Sequence, residues 1–164
     1  MLFRSPAGGE IYISGKNSAD MTVSDISREI GFVMQNPDNQ LFTDTIYNEA
    51  AFALKNYGLS KKEIKKRVEE ALCAVGLEKY DSFPHACSKA DRTKIVIACI
   101  LAMGCKIIIL DEIDVGQDYI GITKIMNILK KQQKQGCTII FVTHNMLLAN
   151  EYANNIIELG GTNE

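Results

Sequence analysis

The chain alternates between stretches whose apolar residues recur every three or four positions and short runs that are apolar throughout. Over residues 61–75, Ile64, Val68, Leu72 and Val75 share one stripe, which predicts a helix with Ser60 as its N-cap and Gly76 as its stop. Similar spacing predicts helices over 45–57, 91–103, 118–135 and 146–152. The runs 107–110 and 138–142 are continuous and β-branched, and read as buried strands. Further strands are expected at 10–14, 30–34 and 156–159, while the polar segment 17–27 reads as a loop or one helical turn. Strands apolar on both faces, alternating with helices, predict a parallel sheet covered on both sides, with functional groups at the strands' carboxyl ends.

Composition narrows the class without changing this picture. A chain of 164 residues fits one domain, and 46% hydrophobic with 23% charged residues is ordinary for a soluble globular protein. A formal net charge of -2 gives no reason to expect nucleic acid as a partner, or an anionic membrane surface. The basic cluster Lys61, Lys62, Lys65, Lys66 and Arg67 is interleaved with Glu63, Glu69 and Glu70 at helical spacing, the pattern of a solvated helix face. Five scattered cysteines without a C-x-x-C pair read as reduced cytosolic thiols, and no apolar run is long enough to span a bilayer.

The candidate chemistry sits where two predicted strands stop. Ile107-Ile108-Ile109-Leu110 ends in Asp111-Glu112, a carboxylate pair that can divide its labour, with Asp111 toward a magnesium ion and Glu112 as general base toward water. The plainer alternative is that Asp111 caps the next turn and Glu112 is simply solvated. Phe141-Val142-Thr143 ends in His144, an imidazole that can hydrogen-bond a terminal phosphate, or that merely follows a strand at the surface. Both motifs in this order, one strand-helix-strand unit apart, are hard to obtain by accident.

With these residues in place the chain resembles an ABC-transporter nucleotide-binding domain. Gln35 in Phe32-Val33-Met34-Gln35-Asn36-Pro37 matches that family's Q-loop, Asp111 the end of Walker B, Glu112 the catalytic glutamate, Asp118 the D-loop aspartate and His144 the switch histidine. The segment Gln35-Asn36-Pro37-Asp38-Asn39-Gln40-Leu41-Phe42 resembles the cobalt/nickel and energy-coupling-factor ATPases, which drive uptake of metal ions or vitamins. The resemblance implies an α/β fold: a P-loop NTPase-like three-layer core with a mostly parallel sheet, from residues 1–35 and 88–164, and a helical subdomain, residues 36–87. It implies an ATPase that uses ATP and Mg2+, with Glu112 and His144 catalytic, Gln35, Asp111, Ser88 and Asp118 on the nucleotide, and Asp111 and Gln35 toward the metal. It also implies a second ATPase subunit as dimer partner and a membrane-embedded transporter subunit docked near residues 36–42. The place implied is cytoplasmic, peripheral on the inner face of the cell membrane.

The pattern is broken in three places. A P-loop needs G-x-x-x-x-G-K-[ST] between a strand and a helix, so that backbone N–H groups and a lysine surround the phosphates. Residues 9–17 are the only candidate, with Gly9 and Gly15 spaced one residue too widely and Asn17 in place of the hydroxyl. They are read instead as the family's next strand, so the chain is expected to begin after the first strand, the P-loop and its helix. That loss exposes apolar sheet faces and a strand edge, for which a partner or self-association is the expected remedy. The family's Leu-Ser-Gly-Gly-Gln signature is Cys87-Ser88-Lys89-Ala90-Asp91 here, and Ile113-Asp114 replaces Pro-Thr. Two readings follow: a truncated or degenerate importer ATPase, weak or inactive alone, or a non-catalytic assembly or regulatory module that docks on a transporter or paired ATPase. A flavodoxin-like or other doubly wound binding domain leaves Gln35, Asp111, Glu112 and His144 unaccounted for together.

Overall fold

Three parallel strands, in the order β3 (Ile30–Val33), β4 (Ile107–Asp111) and β5 (Thr138–Val142), form the sheet on which the molecule is built in the computed structural model, which describes residues 9–159. Before them come a two-residue hairpin, β1 (Tyr12–Ile13) with β2 (Lys16–Asn17), a short 3-10 turn, and the helix α1 (Val23–Glu29). Helices α2 (Ile46–Asn56), α3 (Lys61–Ala74) and α4 (Lys89–Met103) separate β3 from β4. Helix α5 (Tyr119–Lys134) crosses from β4 to β5, and α6 (Met146–Tyr152) follows β5.

Helix α4 is the centre of the packing. Its buried residues, among them Ile95, Val96, Ile97, Ala98 and Ile100, surround the helix, so it must be covered on all sides. It packs on β3 beneath and on α2 and α3 above. Leu54 and Leu72 reach it from those helices, Ile125 and Leu129 of α5 join the same core, and all are fully buried. Each such side chain contributes about 2 kcal/mol. The close approach of α4 to the sheet needs Gly31, where an added Cβ would overlap the Cγ2 of Ile100.

The expected helix limits hold to within a few residues, and the caps explain why. Thr45, Ser60, Ser88, Asp118 and Asn145 each accept a backbone N–H at a helix start. Gly76 follows α3 at a φ of +73°, the left-handed conformation that ends a helix. On α3 the salt bridges Arg67–Glu63 at 2.7 Å and Lys65–Glu69 at 3.8 Å match the reading of a solvated charged face.

Four expectations are corrected. The strand expected at 10–14 is shorter, Tyr12–Ile13: Ser14 and Gly15, both at positive φ, end it and turn the chain back into β2, and Ser18 N donates to Ile11 O at 2.8 Å. The segment 17–27 is more helical than a loop, because Thr22 and Asp25 form a capping box that starts α1. Residues 156–159 form no strand; no strand edge pairs with them, and Leu159 is 92% exposed. The sheet is covered by helices on one face only among the described residues. Gly31, Val33, Ile108 and Leu110 are buried toward α4, whereas Phe32, Ile140 and Val142 on the opposite face stay open. Among the described residues no strand pairs with the outer edge of β5 or of β3.

Polar anchoring completes the frame between β3 and α2. Glu49, 5% exposed, accepts the backbone N–H groups of Phe42 and Thr43 at 3.0 and 2.8 Å and the Thr43 hydroxyl at 2.8 Å. Replacing Glu49 by alanine strands those donors and is expected to cost about 3 kcal/mol. Gly31→Ala is expected to cost about 2 kcal/mol by forcing α4 off the sheet. Urea unfolding of both variants checks the two values; a loss under about 0.5 kcal/mol in either contradicts the packing described.

Candidate functional site

Parallel pairing sets the site. Val33, Leu110 and Phe141 lie opposite one another in adjacent strands, so all three chains leave the sheet at the same level. Just beyond that level come Gln35, Glu112 and His144. Gln35 Nε2 donates to Glu112 Oε2 at 2.6 Å, and His144 Nε2 lies 3.0 Å from Glu112 Oε1. Both carboxylate oxygens of Glu112 are therefore engaged, one by each neighbouring strand. The Glu112 side chain is 23% exposed, while His144 is 90% exposed. Glu112 also has a φ of +47°, unusual for a residue with a Cβ, and its N–H donates to Val142 O at 3.0 Å. The reading of Glu112 as a merely solvated carboxylate is thereby overturned.

The remaining expected site residues have separate placements. Asp111 ends β4 opposite Val142, half-buried, and its carboxylate makes no hydrogen bond or ion pair among the described residues, so it is not a cap. Ser88 caps α4 and donates to Asp91 Oδ2 at 2.9 Å. Asp118 caps α5, accepting from Gly121 N at 2.6 Å. Neither Ser88 nor Asp118 bonds to Glu112 or His144. The Lys94 ammonium, at 2.8 Å, and the Ser88 hydroxyl hold the Asp91 carboxyl below the usual carboxylate range. Lys89 is thus free of Asp91 and reaches instead to Val115 O at 3.4 Å, tying the start of α4 to the loop after Glu112.

Sequence reasoning missed the supports of Gln35. The Gln40 carboxamide accepts from Met34 N and donates to Phe32 O, both at 2.8 Å, imitating the peptide of a neighbouring strand along the open edge of β3. It holds the backbone immediately before Gln35. Asp38 is fixed by Arg92 at 2.6 Å, with His85 4.0 Å away, and His85 Nε2 lies 3.0 Å from Leu41 O. Phe42, 64% exposed, stands on this braced loop with its ring edge-on to Phe52 at 4.7 Å. Thr143 and Asp114, also overlooked, join across the site at 2.9 Å.

The donor set can be tested against magnesium and a triphosphate. An aspartate oxygen and an amide oxygen are donors magnesium accepts, and this ion keeps much of its water, so Asp111 and Gln35 fit it. A triphosphate needs a run of free backbone N–H groups. Residues 11–18 are instead folded into the hairpin, and no glycine-rich loop opens a helix among the described residues. Glu112 and His144 suit the water-facing end of a phosphoryl group, and the described residues include no cradle for the rest. No helix among the described residues is long and apolar enough to cross a membrane.

Comparison with known proteins identifies the family. The EcfA energy-coupling factor transporter ATP-binding protein of Methanocaldococcus jannaschii is 40% identical over 154 residues, covering 92% of this chain and 55% of that protein. The cbiO1 structure from Clostridium perfringens, part of the ABC transporter complex cbiONQ, superposes with a TM-score of 0.79 at 35% identity, covering 93% of this chain and 62% of that one. The dimeric structure of MJ0796, a bacterial ABC transporter cassette, gives 0.78 at 28% identity, covering 90% and 67%. The chain spans 55–60% of the length of some curated relatives it matches and 25–27% of others. The ABC transporter family model matches residues 2–114, and with these likenesses the chain belongs to the ABC transporter ATP-binding family.

Proposed function

We propose that the chain is the water-activating part of an importer ATPase of the cobalt/nickel or vitamin energy-coupling type. The observation that carries this reading is the Glu112 carboxylate held between Gln35 and His144. Glu112 would act as general base toward a water molecule, and His144 would present its Nε2–H to a phosphate oxygen. Gln35 and Asp111 would face magnesium. When bound, ATP would supply the phosphoryl group, and magnesium would neutralise its charge. In the arrangement described, each Glu112 oxygen has one partner, Gln35 Nε2 or His144 Nε2, and keeps a second lone pair that would accept the proton of a water molecule.

Ser88 and Asp118 would belong to the contact with a second ATPase subunit, a reading supported by the likeness to a cassette with a dimeric structure. Residues 36–87 would form the subdomain that meets a membrane-embedded transporter subunit, with the braced loop 36–42 and its exposed Phe42 as the contact. On this reading the protein would be a peripheral component at the cytoplasmic face of the membrane. The hairpin at 11–18 and the Lys89 tie to Val115 favour a second reading, a degenerate non-catalytic module that keeps only the docking role.

Titration with Mg-ATP, followed by the NMR signals of Gln35 and His144, separates the two. Selective shifts at both residues are expected for the ATPase reading, and micromolar affinity would retire the non-catalytic one; no response at millimolar nucleotide would retire the ATPase reading. In an assembled transporter containing this chain, Glu112→Gln is expected to lower hydrolysis by about 100-fold or more while nucleotide binding survives. Unchanged turnover would remove Glu112 from the chemistry.

A further inference from the structure

His144 is almost fully exposed, so packing cannot hold it against Glu112. An exposed side chain keeps its place only if the backbone carrying it is fixed. That backbone is flanked by two tethered residues. Thr143 Oγ1 donates to Asp114 Oδ2 at 2.9 Å and accepts from Asn145 N at 3.0 Å. Asn145 in turn caps α6 through Leu147 N and Leu148 N, at 3.1 and 3.2 Å. Asp114 stands on the far side, in the loop that carries Glu112. This loop is itself anchored: Ile113 is buried, Val115 N donates to Glu112 O, and Gln117 N donates to Asp114 O, both at 3.2 Å.

The contacts between the two loops run in succession. Glu112 N binds Val142 O, the Asp114 carboxylate binds the Thr143 hydroxyl, and the Glu112 carboxylate meets His144. Of these three, only the Asp114–Thr143 bond joins side chains that leave the Glu112–His144 contact itself untouched. We infer that Asp114 is a positioning residue: acting through Thr143, it sets the distance between the Glu112 carboxylate and the His144 imidazole. The inference rests on the reading of Glu112 and His144 as the working pair.

The chain has two histidines, so the ring signals of His144 are separable by NMR from those of His85, which sits against Leu41 and serves as an internal control. Glu112→Gln is expected to shift the His144 ring signals in the otherwise unchanged protein. In an Asp114→Ala background the same change should shift them by less than half as much. Asp114→Asn, which keeps an oxygen acceptor for Thr143, should restore the response. Thr143→Val should reproduce the loss and add nothing to Asp114→Ala, and Thr143→Ser should retain the response, which covers the case in which Asp114→Ala does not fold. An equal response with and without Asp114 would overturn the inference and leave the proposed pair standing. No response in the otherwise unchanged protein would overturn both.

Discussion

The in-register parallel pairing of three short strands is the constraint on which everything else depends. Side chains on a strand alternate with a period of two, so a slip of one residue between β4 and β5 would move Phe141 from the core to solvent and carry His144 away from Glu112. What prevents that slip is the one-sided core. Ile139 and Phe141 of β5 pack against the same core as Val33, Ile108 and Leu110, on the face toward α4, and Gly31 lets that helix come close. Site geometry and core packing are thus fixed by the same contacts.

Three chain segments far apart in sequence consequently meet at one carboxylate. Gln35 lies 77 residues from Glu112, yet its amide is 2.6 Å from it. The supports of this meeting are polar and lie just outside the sheet: Gln40 at the end of β3, Glu49 under the loop that follows, and the Asp114–Thr143 bond between the other two strand ends. Interactions of this kind contribute modestly to stability, about 1 kcal/mol each, but they select one arrangement of a surface-exposed site.

Much of the fold was legible because its signals are local. Ser60 and Gly76 bracket a helix whose apolar stripe is plain, and the Ile107–Asp111 and Thr138–Val142 strands announce themselves as unbroken β-branched runs. The capping box at Thr22 and Asp25 was also a local signal, overlooked because α1 buries no residue and so has no apolar stripe. Residues 156–159 mislead for the opposite reason: their apolar run has strand composition but finds no strand to pair with. Glu112 and His144 were readable from their places after buried strands. Gln40, whose side chain imitates a peptide, and Asp114, which acts on Thr143 across a fold-dependent gap, leave no periodic trace in sequence.

The central claim is that the strand ends bring Gln35 and His144 to opposite oxygens of Glu112. A high-resolution crystal structure of the chain, with the two donor–acceptor distances at that carboxylate measured, tests it most directly. Both nitrogens within hydrogen-bonding distance, one on each oxygen, is the predicted result. A Glu112 carboxylate turned to bulk solvent, with His144 carried off by a shifted β5, would contradict it.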